Sequence, residues 1–530
     1  MENSIAAIEQ ISPLWMVTRE YRHIAGAGGV KDISRELAES LARIGVKVTV
    51  FLPCYGFIEP KSLGFKILGP TFDVDMDYSH EERREKVWFW HAEMNKVQII
   101  LVGADRFSEK MGVYTYTDTD TEIDSTRVRG EGHFDYFAMN TLLQKAVMAL
   151  AAYNLEVPKL FHCHDGHTAL IPALMRELEG YRHLFRNTGA LITIHNAGMG
   201  YHQDVDDLNF AKSNTGLPWH TIHKGLLNGS FDPLLAGPSY SLVNTVSENY
   251  ARELQHTELD AMTGWLGHAL KDRGIELKGI TNGINPDDFN PRQPERLGIP
   301  AAFDPLNGDL EGKSICKHFL LRQHNGDFTN IQTHGDLDTE DNRVLVTVVS
   351  RFTEQKGIDI LATCLEKLLP NNSDFNVIIL GSGSKDIEDH LIYLANKNDI
   401  KGKLRLHIGY DPQLANQIYA GGDFFVIPSR YEPCGLTDFM AQLMGNIPIV
   451  RLTGGLVKVR DGFNGFGYID HSPDALMETL LRAMRLYHYS PSAIRKMQIN
   501  AITNIHKHYT WDQVRDKYLE LYNQVIAKNV

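Results

Sequence analysis

Cysteine is scarce. Five cysteines (Cys54, Cys163, Cys316, Cys364 and Cys434) are scattered through 530 residues with no paired spacing. That pattern excludes a disulfide framework and a zinc knuckle, and it fits a reducing cytoplasm. No apolar run approaches the roughly 20 residues needed to span a bilayer. Positive charge is in deficit: 53 Lys and Arg face 66 Asp and Glu, a net charge of -13. A nucleic-acid surface needs clustered cations, so a nucleic-acid partner is not expected. Tandem repeats are absent. The first 13 residues contain Glu2 and Glu9 and no basic start before an apolar run, so they do not read as a secretion signal.

What is present is an ordinary globular composition, 43% hydrophobic and 22% charged, in a chain long enough for two or three domains. Short apolar runs alternate with helical patterns. In the second half they fall at 344–349, 377–380, 404–408, 424–427 and 447–450. In the first half they fall at 14–18, 47–52, 97–102, 160–163, 191–194 and 242–246. Continuous apolar strands joined by helices predict an α/β protein with parallel sheets covered on both faces. Two doubly wound, Rossmann-like domains in tandem are expected, with ligands at the carboxyl ends of the strands. Turn-forming residues at 282–286 place the link there. The expected division is 1–284, 285–508 and a last segment 509–530, whose residues 511–527 form an amphipathic helix. The polar stretches 76–86, 115–131 and 325–342 are expected to be loops.

Several strand ends carry chemistry. Gly26-Ala27-Gly28-Gly29 precedes a helix with its apolar face at Val30, Ile33, Leu37, Leu41 and Ile44. Such a loop lets a phosphate approach backbone N–H groups, or is simply a tight turn. After the 344–349 strand, Arg351 and Lys356 are placed to clamp a diphosphate, the guanidinium by two parallel bonds and the ammonium as a point charge. After the 424–427 strand, Glu432 is placed to bind sugar hydroxyls or stabilise a cationic carbon, and Gly435-Leu436-Thr437 opens a helix. Cys434 lacks a basic neighbour and reads as a packed thiol. His162, His164, Asp165 and His167 lie close in sequence without the spacing of a known metal motif, so no metal is expected. Asp165 and His195 each end a strand, where they can hydrogen-bond a sugar. The acidic clusters at Asp73, Asp75 and Asp77 and at Asp118, Asp120 and Glu122 read as solvated loops.

In order and spacing these segments resemble the bacterial glycogen and plant starch synthases over nearly the whole chain. Gly28-Gly29-Val30 resembles K-x-G-G-L. Residues 162–168 resemble H-x-H-D-W-H-T, and 193–196 resemble T-x-H-N. Residues 245–253 resemble T-V-S-x-x-Y-A-x-E, and 282–284 resemble N-G-I. Residues 350–357 and 428–437 resemble S-R-L-T-x-Q-K-G and P-S-R-F-E-P-C-G-L-T. The resemblance implies a GT-B fold: an N-terminal acceptor-side domain and a C-terminal nucleotide-sugar domain facing across a deep cleft, with the C-terminal helix packing back on the first. It implies a cytoplasmic enzyme that transfers glucose, with retention, from ADP-glucose or UDP-glucose to the non-reducing end of an α-1,4-glucan. No metal or other cofactor is implied.

By the same resemblance Arg351 and Lys356 neutralise the departing diphosphate, Glu432 stabilises the glucosyl unit, and Asp165 and His195 position it. Gly28, Gly29, Gly435, Leu436, Thr437, Gly454 and Gly455 border the donor. Four positions depart from the pattern. Gly26 replaces a lysine, for which Lys31, Arg22 or His23 are candidate substitutes. Gly166 replaces a tryptophan. Lys458-Val459 replaces Asp-Thr after Gly454-Gly455. These changes keep two alternatives open: a GT-B enzyme with a changed donor or acceptor, and a catalytically weak glucan-binding protein.

Overall fold

The apolar runs become the central strands of two separate sheets. The computed structural model describes residues 8–323, 328, 331–338, 343–372 and 374–528. The chain divides by its internal contacts into a first unit, Met1–Thr281 with Trp511–Val530, and a second unit, Asn282–Thr510.

The first unit is built on nine strands: β1 Leu14–Val17, β2 Val48–Pro53, β3 Lys66–Asp75, β4 Arg84–Met94, β5 Val97–Gly103, β6 Leu160–His164, β7 Gly189–Ile194, β8 Leu242–Thr245 and β9 Lys278–Gly279. Their order across the sheet is β9-β8-β7-β6-β1-β2-β5-β4-β3. All neighbours pair in parallel except β4, which runs antiparallel to both β5 and β3. β1, β6 and β7 are buried along their whole length, which is why they read as unbroken apolar runs. The Val30–Arg43 helix turns Ile33, Leu37 and Leu41 inward at i+4 steps. The C-terminal helix Trp511–Lys528 belongs to this unit and packs on the Val30–Arg43 helix and on β6 and β7.

The second unit has seven strands: β10 Gln332–Leu337, β11 Val344–Val349, β12 Phe375–Gly381, β13 Lys403–Ile408, β14 Phe424–Ile427, β15 Ile447–Arg451 and β16 Phe466–Tyr468. Their order is β10-β13-β12-β11-β14-β15-β16, parallel except for β10.

Three expected loops are corrected. Asp73 and Asp75 lie on strand β3, opposite Lys86 and Arg84 of β4; the exposed Arg84–Asp75 pair is 2.9 Å long. Opposite charges across a strand pair favour the ladder over a free loop. Asp120 is fully buried, closes a capping box with Thr117 on the Asp118–Ile123 helix, and accepts the Met111 N–H at 3.0 Å. Within 325–342, residues 332–337 form the edge strand β10; residues 325–327, 329–330 and 339–342 lie outside the described residues.

Candidate active site

In the second unit the strand order reverses between β11 and β14. Open α/β sheets bind ligands beyond the carboxyl ends of the strands at such a reversal. The loops leaving these two strands carry Lys356 and Glu432. Lys356 ends the single 3-10 turn Glu354–Lys356, whose cap Thr353 accepts the Lys356 N–H. Gly357 follows at φ +67°; a Cβ there would stand 2.0 Å from the Pro428 carbonyl oxygen. Only glycine lets the two loops meet so closely.

Lys356 Nζ donates to Glu432 Oε2 at 2.7 Å, and Ser429 Oγ donates to the same oxygen at 2.9 Å. Glu432 is 7% exposed. Burial pushes its carboxyl up, but the Lys356 charge, these hydrogen bonds and the nearby Lys458 charge outweigh burial. The net effect holds Glu432 below the usual range, hence ionised. Arg351 is exposed and its guanidinium bonds Gln355 Oε1 at 3.3 Å rather than Glu432.

Gly455 donates its N–H to the Glu432 carbonyl at 2.8 Å. A Cβ on Gly454 would lie 1.9 Å from that carbonyl oxygen, and one on Gly455 would lie 2.1 Å from the Cys434 carbonyl oxygen. Both glycines therefore back the Glu432 loop. Gly435 turns at φ +72°, and Leu436 caps the Thr437–Leu443 helix without a side-chain bond. Burial pushes the Cys434 thiol up to about 11, which leaves it protonated and packed.

In the first unit the order reverses between β1 and β6. Asp165, just after β6, takes a left-handed conformation at φ +56°. Its Oδ1 accepts the N–H groups of His195, at 2.6 Å, and Asn196, at 3.4 Å, beyond the end of β7. Asp165 and His195 are thus brought together. Burial pushes the Asp165 carboxyl up to about 7, although these N–H groups oppose it. His195 Nε2 and His164 Nδ1 are hydrogen-bonded at 2.7 Å, one ring donating to the other, and burial lowers both rings far below 6.5.

The hydrogen-bond network assigns the His162 tautomer. Thr193 Oγ1 donates to Asn244 Oδ1 at 2.7 Å, so it accepts from His162 Nε2–H at 2.7 Å. His162 Nδ1 then accepts from Tyr522 of the C-terminal helix at 2.9 Å. Among the described residues, no group of three or more His, Cys, Asp or Glu is placed to hold a metal ion.

The glycine loop after β1 already holds an anion of its own chain. Glu20 Oε2 accepts the N–H groups of Ala27, at 2.7 Å, and Gly28, at 2.8 Å, while Glu20 Oε1 accepts from Tyr114 at 2.6 Å. Gly29 caps the Val30–Arg43 helix without a side-chain bond. Of the candidate replacements for the loop lysine, Lys31 lies across Gly26: its Cδ is 2.3 Å from where a Gly26 Cβ would stand, and its Nζ donates to the Gly28 carbonyl at 2.8 Å. Arg22 pairs with Asp32 at 3.4 Å, and His23 is exposed. Gly166 abuts the His202 carbonyl oxygen, 2.1 Å from an imagined Cβ, so this backbone has no room for a larger residue there.

Sequence reasoning did not find Glu20, Ser429 or the role of Lys458. Ser429 sits inside the quoted 428–437 motif and was within reach. Nothing local to Glu20 signals that it folds back on a loop six residues away.

Residues 13–273 match the starch synthase catalytic domain family, and residues 330–502 match glycosyl transferases group 1. Glycogen synthase 1 of Geobacter sulfurreducens is 31% identical, the alignment covering 97% of this chain and 96% of that protein. Glycogen synthase of Streptococcus agalactiae is 31% identical over 97% of this chain and 99% of its own. Among solved structures, the catalytic domain of starch synthase IV from Arabidopsis thaliana, bound to ADP and acarbose, aligns with TM-score 0.79. It is 23% identical and covers 97% of this chain and 99% of that one. Sucrose-phosphate synthase of Thermosynechococcus elongatus aligns with TM-score 0.57 at 15% identity, covering 98% of this chain and 100% of that one. These likenesses make the fold GT-B.

Proposed function

The chain belongs to the glycogen and starch synthase family of glycosyltransferases, and we propose that it transfers glucose from ADP-glucose or UDP-glucose to the non-reducing end of an α-1,4-glucan, with retention. The observation that carries this reading is the Lys356–Glu432 pair at the β11/β14 strand ends. The family names of its relatives, and the ADP and acarbose held by starch synthase IV, support the choice of donor and acceptor.

Breaking a sugar–diphosphate bond leaves positive charge on the anomeric carbon and negative charge on the leaving oxygen. The ionised Glu432 carboxylate stabilises the first. Lys356 and the exposed Arg351 guanidinium take up the second, doing with fixed side-chain cations what a metal ion does elsewhere. No metal or organic cofactor enters the scheme. The second unit is the nucleotide-sugar domain and the first is the acceptor-side domain, where Asp165 and His195 orient sugar hydroxyls. Gly435, Leu436 and Thr437 border the donor, with Gly454 and Gly455 behind them. Gly28 and Gly29 meet a donor phosphate only if Glu20 gives way. That displacement, together with Gly26, favours a second reading in which the fold and clamp are kept and the donor is different.

The test is a panel of nucleotide-sugars with glycogen or maltooligosaccharides and no added metal. Elongation with diphosphate release names the donor. Release with another sugar only selects the second reading, and no turnover across the panel sinks both. Lys356→Ala and Glu432→Gln are each expected to lower turnover by roughly 10²-fold or more in a folded protein; near wild-type rates in both would remove the pair from the mechanism.

A further inference from the structure

Lys458 stands where the family pattern has an acidic residue, and a lysine beside a donor loop invites the idea of an extra ligand cation. The geometry excludes that role. Lys458 ends the 3-10 helix Gly454–Lys458 and turns back beneath the Glu432 loop. Its Nζ donates to the Cys434 carbonyl at 2.6 Å and to the Gly435 carbonyl at 2.6 Å, and it stands 3.1 Å from Asp438 Oδ1. The two carbonyl bonds and the Asp438 ion pair commit the ammonium, which has only donors to offer, to the underside of the loop. Its face lies over the Phe439 ring, 4.5 Å from the centroid. Lys458 is 8% exposed and Asp438 is fully buried.

We infer that Lys458 is a positioning residue that aims the donor-facing side of the Glu432 loop. A trans peptide is planar, with its N–H opposite its C=O. Fixing the Cys434 and Gly435 carbonyls therefore fixes the N–H groups of Gly435 and Leu436, which point away from Lys458. Two other ties hold the near end of the loop: the Glu432 side chain on Lys356 and Ser429, and the Glu432 carbonyl on the Gly455 N–H. Lys458 is the tie at the far end, where the chain passes through the left-handed Gly435 into the Thr437–Leu443 helix. Asp438 balances its charge from the first turn of that helix. This inference rests on the proposed role of the loop in receiving a nucleotide-sugar.

The experiment compares Lys458→Met, Asp438→Asn and the double variant with wild type. It reads donor KM, acceptor KM, kcat, calorimetric binding of ADP and UDP, and thermal melting. Asp438→Asn keeps the two carbonyl bonds and is expected to stay within about threefold of wild type for the donor. Lys458→Met is expected to lower donor kcat/KM and nucleoside diphosphate affinity by about ten- to a hundredfold with acceptor KM unchanged, and the double variant to behave alike. A role confined to stability would lower melting temperature and leave these constants intact per folded molecule; that result overturns the inference and leaves the proposed function standing. If Lys458→Met alone does not fold, the charge-neutral double variant gives the same readout with the same two outcomes. A wild type that neither turns over nucleotide-sugars nor binds ADP or UDP overturns the proposed function and this inference with it.

Discussion

Asp165 couples conformation, burial and protonation in one residue. Its backbone is left-handed, its carboxyl is 3% exposed, and burial raises that carboxyl to about 7 against an ordinary 3.8. A raised acid binds its proton more tightly in the folded state. Its contribution to stability is full below the unfolded value and is lost as pH rises through about 7, by up to roughly 4 kcal/mol. Asp165→Asn tolerates the left-handed backbone and keeps an oxygen for the His195 N–H. Relative to wild type, the variant is therefore expected to gain melting temperature from pH 5 to 8, on top of the histidine contribution that both share, while its turnover drops. Parallel melting curves would show that Asp165 does not carry the titration. Position made Asp165, Lys356 and Glu432 legible, because each follows a strand that reads as an apolar run. The occupancy of the glycine loop by Glu20 and the turn of Lys458 onto two carbonyls were not legible. Both depend on how a loop folds back on itself, which no local residue pattern encodes.

Elements buried on both faces were legible almost to the residue, and edge elements were not. β11 and β14 are wholly buried and match their expected bounds, whereas β3 and β10 alternate exposed polar residues with few buried ones and read as loops. An edge strand faces water on one side, so its hydrophobic signal is halved while its ladder bonds persist. The C-terminal helix was legible from its stripe, and the structure adds what the stripe covers: Trp511, Val514, Tyr518, Leu521, Tyr522 and Val525 are buried in the first unit. At about 1.5–3 kcal/mol for each large apolar side chain, removing them forfeits on the order of 10 kcal/mol, as much as a whole domain's stability. Deleting residues 511–530 is expected to abolish amide protection in the first unit's sheet while β11–β15 stay protected. Hydrogen exchange with peptide resolution checks this, and a protected β6 and β7 in the truncated chain would contradict it.

Across the whole molecule, buried neutral histidines are unevenly divided between the two units. In the first, burial lowers His133 to about 4, His162 and His195 to about 3, and His164 and His167 well below the ordinary 6.5. In the second, burial lowers His407 to about 4, and the half-buried His471 is lowered as well. A histidine depressed in the folded state contributes stability above its unfolded value of 6.5 and loses it as pH falls toward the folded value. On acidification the first unit therefore loses stability through five such rings and the second through two. Two groups of the first unit oppose the loss: His202, raised by its 2.7 Å contact with Asp232, and Asp165, which regains its proton. They offset part of it, not most. On acidification the first unit is therefore expected to lose amide protection near pH 5 while the second keeps its own to lower pH. The order is decided by the histidines around β6 and β7, so His162→Gln or His164→Gln should move the first unit's acid midpoint down. Simultaneous loss in both units, or loss in the second unit first, would mean that these rings are not the neutral, buried groups their surroundings make them.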